Sequence, residues 1–279
     1  MPELPEIETL RRGLERETVG RRVKSVDVPA AKAVHRNGSR KALQARLEGV
    51  KMKSVDRRGS LLVFTLDSGE LLVIDIGVTG RLLRAAPKDE VAKDTQIVVS
   101  FTQGGQLRMA DADGTAEMFV VTPDLLVEEA PELARLGLDP VAGPVSWTAF
   151  AQSLVNHRTE KLKPLLMDQS FVVGLGGLYA DEILHDAGLR PDREVSTVST
   201  MEIRRLYRSL VEILHEATKH HGTSNEEHPF TDLHGKEGAF QEELQVWGRD
   251  GQPCRRCRQT VTKQRSGGRV TYWCPSCQV

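Results

Sequence analysis

Ile7, Leu10 and Leu14 recur at intervals of three and four, with Arg11, Arg12, Glu15 and Arg16 between them. That spacing predicts an amphipathic helix ending near Gly20. Pro5 suits its first turn, where a missing N–H costs little. From residue 21 to about 130 the period shortens. Residues 23–28 alternate, and residues 61–66, 71–76 and 97–101 are short apolar runs. Asp67-Ser68-Gly69-Glu70 and Gln103-Gly104-Gly105-Gln106 carry hairpin-turn residues. A helical stretch, Lys41 to Leu47, interrupts the strands. Short strands at regular spacing predict a β-sandwich.

The pattern changes again after Leu136-Gly137-Leu138-Asp139-Pro140. Pro140, Gly143 and Pro144 read as a linker, and Ser146 as the cap of a helix through Phe150 and Leu154. Residues 146–220 read as helical, with breaks at Gly174–Gly177 and Gly188–Pro191. Residues 222–240 are polar and glycine-containing and predict a mobile loop. His220, His221, His228 and His234 are too irregularly spaced for a metal set and read as loop residues. The last 35 residues are strand-like. The resulting architecture is α+β: a sandwich domain over 1–135, a helical domain over 145–240 and a cysteine-bearing module over 241–279.

Composition adds little to this picture until it is read locally. Hydrophobic residues make up 39% of the 279 and charged residues 28%, an ordinary globular mixture. The formal charge of −1 gives no global signature of a nucleic-acid partner. No apolar run reaches the length of a membrane span, and the acidic, proline-rich start is unlike a secretory leader, so the expectation is a cytoplasmic protein without a membrane partner. Residues 240–279, however, hold seven Lys/Arg against three acids, a local charge of +4.

All four cysteines lie in that basic segment. Cys254-x2-Cys257-x16-Cys274-x2-Cys277 has zinc-ribbon spacing: two tight turns supply two thiolates each and close a tetrahedron. Four thiolates leave no open position, so the expected cofactor is one structural zinc ion. Arg269, in Gly267-Gly268-Arg269, falls at the hairpin tip between the cysteine pairs, a placement suited to phosphate.

The start of the chain carries the other candidate chemistry. Without Met1, Pro2 presents a secondary α-amine, which titrates far below lysine and is partly unprotonated near neutral pH. Such an amine can attack a sugar carbon and give a cationic iminium. Glu3 adjoins it as a candidate general acid/base, and Glu6 could orient the terminus or the first-turn amides.

Several segments together resemble the formamidopyrimidine-DNA glycosylase / endonuclease VIII family. The opening Pro2-Glu3-Leu4-Pro5-Glu6-Ile7-Glu8-Thr9 matches that family's start. Residues 163–169 and 174–182 resemble its helix–two-turn–helix segment, and residues 240–249 lead into a zinc finger at its position. The resemblance spans nearly the whole chain. It implies an N-terminal helix and β-sandwich joined to a helix–two-turn–helix domain with a zinc finger. The implied activity is a base-excision DNA glycosylase and AP lyase acting as a monomer on damaged DNA, which flips the target nucleotide from the duplex. Pro2 would be the Schiff-base nucleophile, Glu3 the acid/base, and Arg269 the residue tied to δ-elimination. Lys163, Gly176 and Gly177 would meet phosphates, and Arg58, Ser60, Arg158 and Glu6 complete the candidate set.

The chain departs from the family pattern where the family touches DNA. Arg57-Arg58-Gly59-Ser60 has serine in place of lysine, a lost charge-assisted contact of about 1.5–3 kcal/mol. Gly177 stands for an asparagine. Asp75 and Val78 stand for a histidine and a methionine. Asp111–Ala116 lacks the family's base-reading arginine and phenylalanine wedge. These changes predict weaker duplex binding and poor activity on 8-oxoguanine opposite cytosine. The alternative is a damaged-DNA-binding protein of the same fold with weakened catalysis.

Overall fold

The computed structural model describes residues 2–29, 31–226, 229–266 and 268–279. Met1, His228 and Gly267, which enter the expectations above, lie outside the described residues. The chain forms two compact units. The first holds Pro2 and residues 6–134 and 221–239; the second holds residues 3–5, 135–220 and 240–279.

In the first unit, helix α1 (Leu4–Thr18) buries Ile7, Leu10 and Leu14, the stripe its spacing predicts. Helix α2 (Arg40–Leu47) is capped by Ser39. The strands are β1 (Val23–Asp27), β2 (Met52–Arg58), β3 (Leu61–Leu66), β4 (Leu71–Asp75), β5 (Arg81–Ala85), β6 (Thr95–Phe101), β7 (Gln106–Ala110) and β8 (Glu117–Val121). They form two antiparallel sheets, ordered β1-β6-β7-β5 and β2-β3-β4-β8. Phe64, Leu72, Ile97 and Met109 share one core with the α1 stripe. Val63, Val73 and Phe119 face the other way, onto Leu126 and Ala130 at the short helix α3 (Leu126–Glu129). β3 and β4 are therefore covered on both faces, which is why their sequences run apolar instead of alternating. Both expected hairpin turns form, with Gly69, Gly104 and Gly105 at positive φ.

Residues 222–240, expected as a loop of the helical domain, divide differently. Phe230 and Leu233 are buried in the first unit's core, and the Leu233 carbonyl accepts from Arg84 N at 2.7 Å. A Cβ at Gly13 would meet Leu233 Cδ1 at 3.0 Å. The boundary drawn at 240 is corrected accordingly: residues 221–239 return to the first unit because two apolar anchors in a polar stretch outweigh its loop-like composition.

The second unit contains α4 (Trp147–Val155), α5 (Leu162–Leu166), α6 (Gly177–Ala187), α7 (Thr200–Lys219) and a hairpin of β9 (Thr262–Ser266) and β10 (Arg269–Trp273). Ser146 accepts from Ala149 N as α4's cap, and Ser199 with Glu202 closes a capping box on α7. The helical stretch is more broken than its periodicity predicts. After α4 the chain turns, and Lys161 forms an isolated antiparallel bridge with Glu194, with Leu162 N donating to Arg193 O and Val195 N to Glu160 O, which separates α4 from α5. Among the described residues, no helix is long and apolar enough to cross a membrane.

Candidate active site

Pro2 is half-buried, and Glu3 after it is only 9% exposed. The Glu3 carboxylate sits on the N-terminus of α6. It accepts from Gly176 N at 2.7 Å, Leu178 N at 3.0 Å and Tyr179 N at 3.4 Å. Gly176, the residue before α6, has no side chain to cap the helix, and the carboxylate takes that role. A Cβ at Gly176 would stand 2.5 Å from Glu3 Oε1. Leu4 N donates to Gly174 O at 2.7 Å, and Gly174 N donates to Gln169 Oε1 at 2.6 Å. The glycine loop is thus closed around residues 3 and 4. The expectation that Gly176 turns its N–H to a phosphate is corrected, because Glu3 already holds that donor. Gly177, by contrast, has room: a Cβ there would lie 3.4 Å from Trp247 and 3.9 Å from Lys163 Nζ.

Glu6 is 3% exposed and accepts from Thr223 N at 2.7 Å, so it fastens the start of the returning segment to α1 instead of facing DNA. Glu8 is buried among arginines: Arg11, Arg12 and Arg57 all donate to it, and their charges hold its carboxyl below the usual range against the cost of burial.

Lys163 departs most from its expected role. It is 4% exposed; its ammonium donates to Val270 O at 2.7 Å and Thr271 Oγ1 at 3.0 Å and is ion-paired with Asp181 Oδ1 at 2.7 Å. Three protein groups thus engage the ammonium, at the edge of the cavity that Arg269 also lines. Asp181 in turn accepts from Tyr272 N at 2.8 Å. Burial pushes the Asp181 carboxyl up to about 7 and the Lys163 ammonium down, each opposed by the partner's charge. The next residue, Glu182, is fully enclosed and accepts from Gln245, Val246 and Trp247 N at 2.8–2.9 Å. Burial raises its carboxyl, and those three donors oppose the rise. Neither acid was singled out from the sequence; the available signal was two adjacent carboxylates on a helix whose apolar pattern leaves them facing inward.

Arg269 opens β10 and is exposed. With Lys161, Met167, Gln264 and Trp273 it lines a cavity of about 170 Å³. Arg58, Arg158, Lys161 and Arg269 are all exposed, and none makes a side-chain hydrogen bond or ion pair among the described residues. Arg57, its side chain 1% exposed, is committed to Glu8 and the Gly59 carbonyl. Ser60 is half-buried at the two-residue turn between β2 and β3, after Gly59 at φ +63°.

The turns carrying the other departures are closed on themselves. Asp111 is fully buried and accepts from Thr79 Oγ1 at 2.6 Å, Asp113 N at 3.1 Å, Ala116 N at 2.6 Å and both donors of Thr115. These bonds hold its carboxyl below the ordinary range although burial opposes them. Asp75 is raised by burial and turned onto Gly77 N at 2.8 Å. Asp113 remains exposed, and Val78, 52% exposed, is the large apolar side chain these turns present.

The sulfurs of Cys254, Cys257, Cys274 and Cys277 lie within 4.8 Å of one another, with pairs at 3.8 and 3.4 Å. A zinc tetrathiolate with bonds of about 2.3 Å has edges of about 3.8 Å, so the four fit one structural ion. Burial and neighbouring thiols push Cys274 and Cys277 up, a cost that a divalent cation removes. Their module is tied to α6 by Arg256, which donates to the carbonyls of His185 and Asp186.

An N-terminal Pro-Glu on a helix start, exposed cations and a closed tetrathiolate module define a zinc-finger DNA glycosylase fold. The comparisons with known proteins agree with that class. The family models Formamidopyrimidine-DNA glycosylase N-terminal domain, Formamidopyrimidine-DNA glycosylase H2TH domain, and Zinc finger found in FPG and IleRS match residues 1–118, 136–228 and 251–279. The formamidopyrimidine-DNA glycosylase of Pelotomaculum thermopropionicum is 36% identical over all of this chain and 99% of its own, and that of Heliobacterium modesticaldum 38% over all of both. Among solved structures, the Lactococcus lactis Fpg in complex with abasic-site DNA superposes with a TM-score of 0.88 at 30% identity, covering 99% of each chain. MutM in complex with DNA containing carbocyclic 8-oxo-G superposes with a TM-score of 0.87 at 31% identity, also over 99% of each. The chain belongs to the formamidopyrimidine-DNA glycosylase family.

Proposed function

We propose that this protein is a base-excision DNA glycosylase and AP lyase whose covalent catalyst is the secondary amine of Pro2. The carrying observation is the seat of Glu3. Three N–H donors fix Glu3, the residue that follows Pro2, on a helix terminus, and this supports a defined seat for the proline nitrogen. In the reaction, the Pro2 nitrogen bonds to C1′ of the lesion as the C1′–base bond breaks, and the displaced base leaves with a proton. Opening of the sugar ring then gives a C1′ iminium with proline. That iminium draws electrons from the C2′–H bond, and loss of that proton expels the 3′ phosphate. Glu3 is the neighbouring carboxylate that exchanges protons in these steps. Arg58, Arg158, Lys161 and Arg269 supply phosphate contacts, and Ser60 at most a neutral hydrogen bond.

The lesion range is shifted. The turn over residues 111–116 satisfies its own hydrogen bonds through Asp111, and it carries neither an arginine nor a bulky apolar side chain to read an opposite base or act as a wedge. Poor excision of 8-oxoguanine opposite cytosine follows, with activity at abasic sites kept. The same closed turn favours the second reading, a damaged-DNA binder of weak turnover. A panel of lesions in duplex and single-stranded oligonucleotides decides between them. Strand cleavage at abasic sites that varies little with the opposite base supports the lyase, whereas tight binding without cleavage leaves the binder.

A further inference from the structure

We infer that Lys163 is a positioning residue for Arg269, acting through the backbone of β10, and not a phosphate contact. The inference rests on the proposed DNA chemistry only for its consequence; the hold itself lies within the protein. Lys163 on α5 and Asp181 on α6 together grip three consecutive residues. The ammonium donates to the carbonyl of Val270 and the hydroxyl of Thr271, and the carboxylate accepts from the N–H of Tyr272. Arg269 is the residue immediately before that grip, so its Cα is set by bonds to two helices, while its guanidinium stays exposed and unpaired among the described residues. Tyr272 is buried and meets Trp247 edge-on at 4.9 Å, which closes the grip from the other side. The charge arithmetic points the same way. Lys163 is paired with a buried acid at 2.7 Å, and an ammonium neutralised and enclosed in this way offers little attraction to DNA.

The two roles predict opposite signs for Asp181→Asn. If Lys163 touched DNA, removing the neighbouring negative charge would tighten binding and keep or steepen its salt dependence. As a positioning residue, Lys163 loses its partner, β10 loosens and the Arg269 contact is lost. Binding then weakens, and the slope of log K against log[salt] falls by about 0.9, one phosphate. Lys163→Arg separates them independently: a phosphate contact tolerates the guanidinium, whereas a buried site fitted to a compact ammonium between Asp181, Val270 and Thr271 does not.

The experiment uses the zinc-loaded full chain and an abasic-site analogue duplex, titrated at several salt concentrations for wild type, Asp181→Asn, Lys163→Arg, Arg269→Ala and Asp181→Asn/Arg269→Ala. Weaker binding in both Asp181→Asn and Lys163→Arg, and no further drop in slope when Asp181→Asn is added to Arg269→Ala, is the expected result. Tighter binding in Asp181→Asn, or a slope falling by a further unit in the double variant, overturns it. Hydrogen exchange of the 262–273 peptide without DNA keeps the test separate from the proposed function. Faster exchange in Asp181→Asn is expected, and unchanged exchange overturns the grip. If wild type fails to bind the duplex, the DNA reading fails while this arm still judges the grip.

Discussion

Glu3 caps α6 and, in the proposed reaction, also exchanges protons; substitution separates the two roles. Glu3→Gln keeps the side chain's shape but replaces one oxygen by an NH2 group. If that group takes the place of Oε1, the buried Leu178 N–H faces another donor and goes unsatisfied, at a cost of about 1–3 kcal/mol. Loss of the negative charge from a helix N-terminus adds about 0.3–1 kcal/mol. The expected destabilisation is therefore about 1.5–4 kcal/mol for Glu3→Gln, and about 3–6 kcal/mol for Glu3→Ala, which abandons all three donors. The assay is urea unfolding followed by tryptophan fluorescence. Trp147, Trp247 and Trp273 are the chain's three tryptophans and all belong to the second unit, the one that Glu3 caps. A midpoint that falls with unchanged urea dependence supports the capping role. If Glu3→Gln abolished activity but unfolded at the wild-type midpoint, the carboxylate would be purely chemical and the reasoning refuted.

Three further outcomes follow from the same structure. Gly177→Asn should fold normally, since its Cβ meets only van der Waals neighbours and the residue lies outside the left-handed region. Offering an amide to phosphate, it should tighten abasic-site binding by about 2–10-fold in a titration. Glu202, bonded to Arg193 and Ser199, has its carboxyl lowered to about 2. A folded value below the unfolded one means stability present above pH 4.5 and lost as pH falls from there towards 2. After allowance for solvent screening this is about 1–2 kcal/mol, and Glu202→Gln should remove it and flatten the acid limb of a stability profile. Metal analysis should find one zinc per chain, and chelation or Cys274→Ser should release it together with the exchange protection of residues 251–279.

Local pattern revealed what local chemistry decides. The α1 stripe, the two glycine hairpins, the Ser146 cap and the cysteine spacing each rest on residues within a few positions of one another. What stayed hidden depends on partners far apart in sequence. Lys163 reads as an exposed cation until Asp181, Val270 and Thr271 are brought around it. Gly176 reads as part of a phosphate loop until Glu3, 173 residues away, takes its N–H. The segment 221–239 reads as a loop because, among its described residues, Phe230 and Leu233 are the buried apolar side chains and the rest of the sequence is mostly polar or glycine. The strand β2 hides its alternation because a register shift between Met52 and Ser54 sets Met52 and Val55 three apart, and the next inward position is filled by Arg57, paired with Glu8. The departures at Ser60, Gly177 and the 111–116 turn were legible as identities, but the self-satisfied geometry around Asp111 was not.

The most direct test of the account is borohydride reduction of the protein mixed with an oligonucleotide bearing one abasic site, followed by proteolysis and mass mapping of the adduct. The account predicts a covalent species in which the sugar is joined to the nitrogen of Pro2, and its loss in Pro2→Gly. A complex that binds the oligonucleotide yet yields no adduct, or an adduct carried by a lysine, would contradict it.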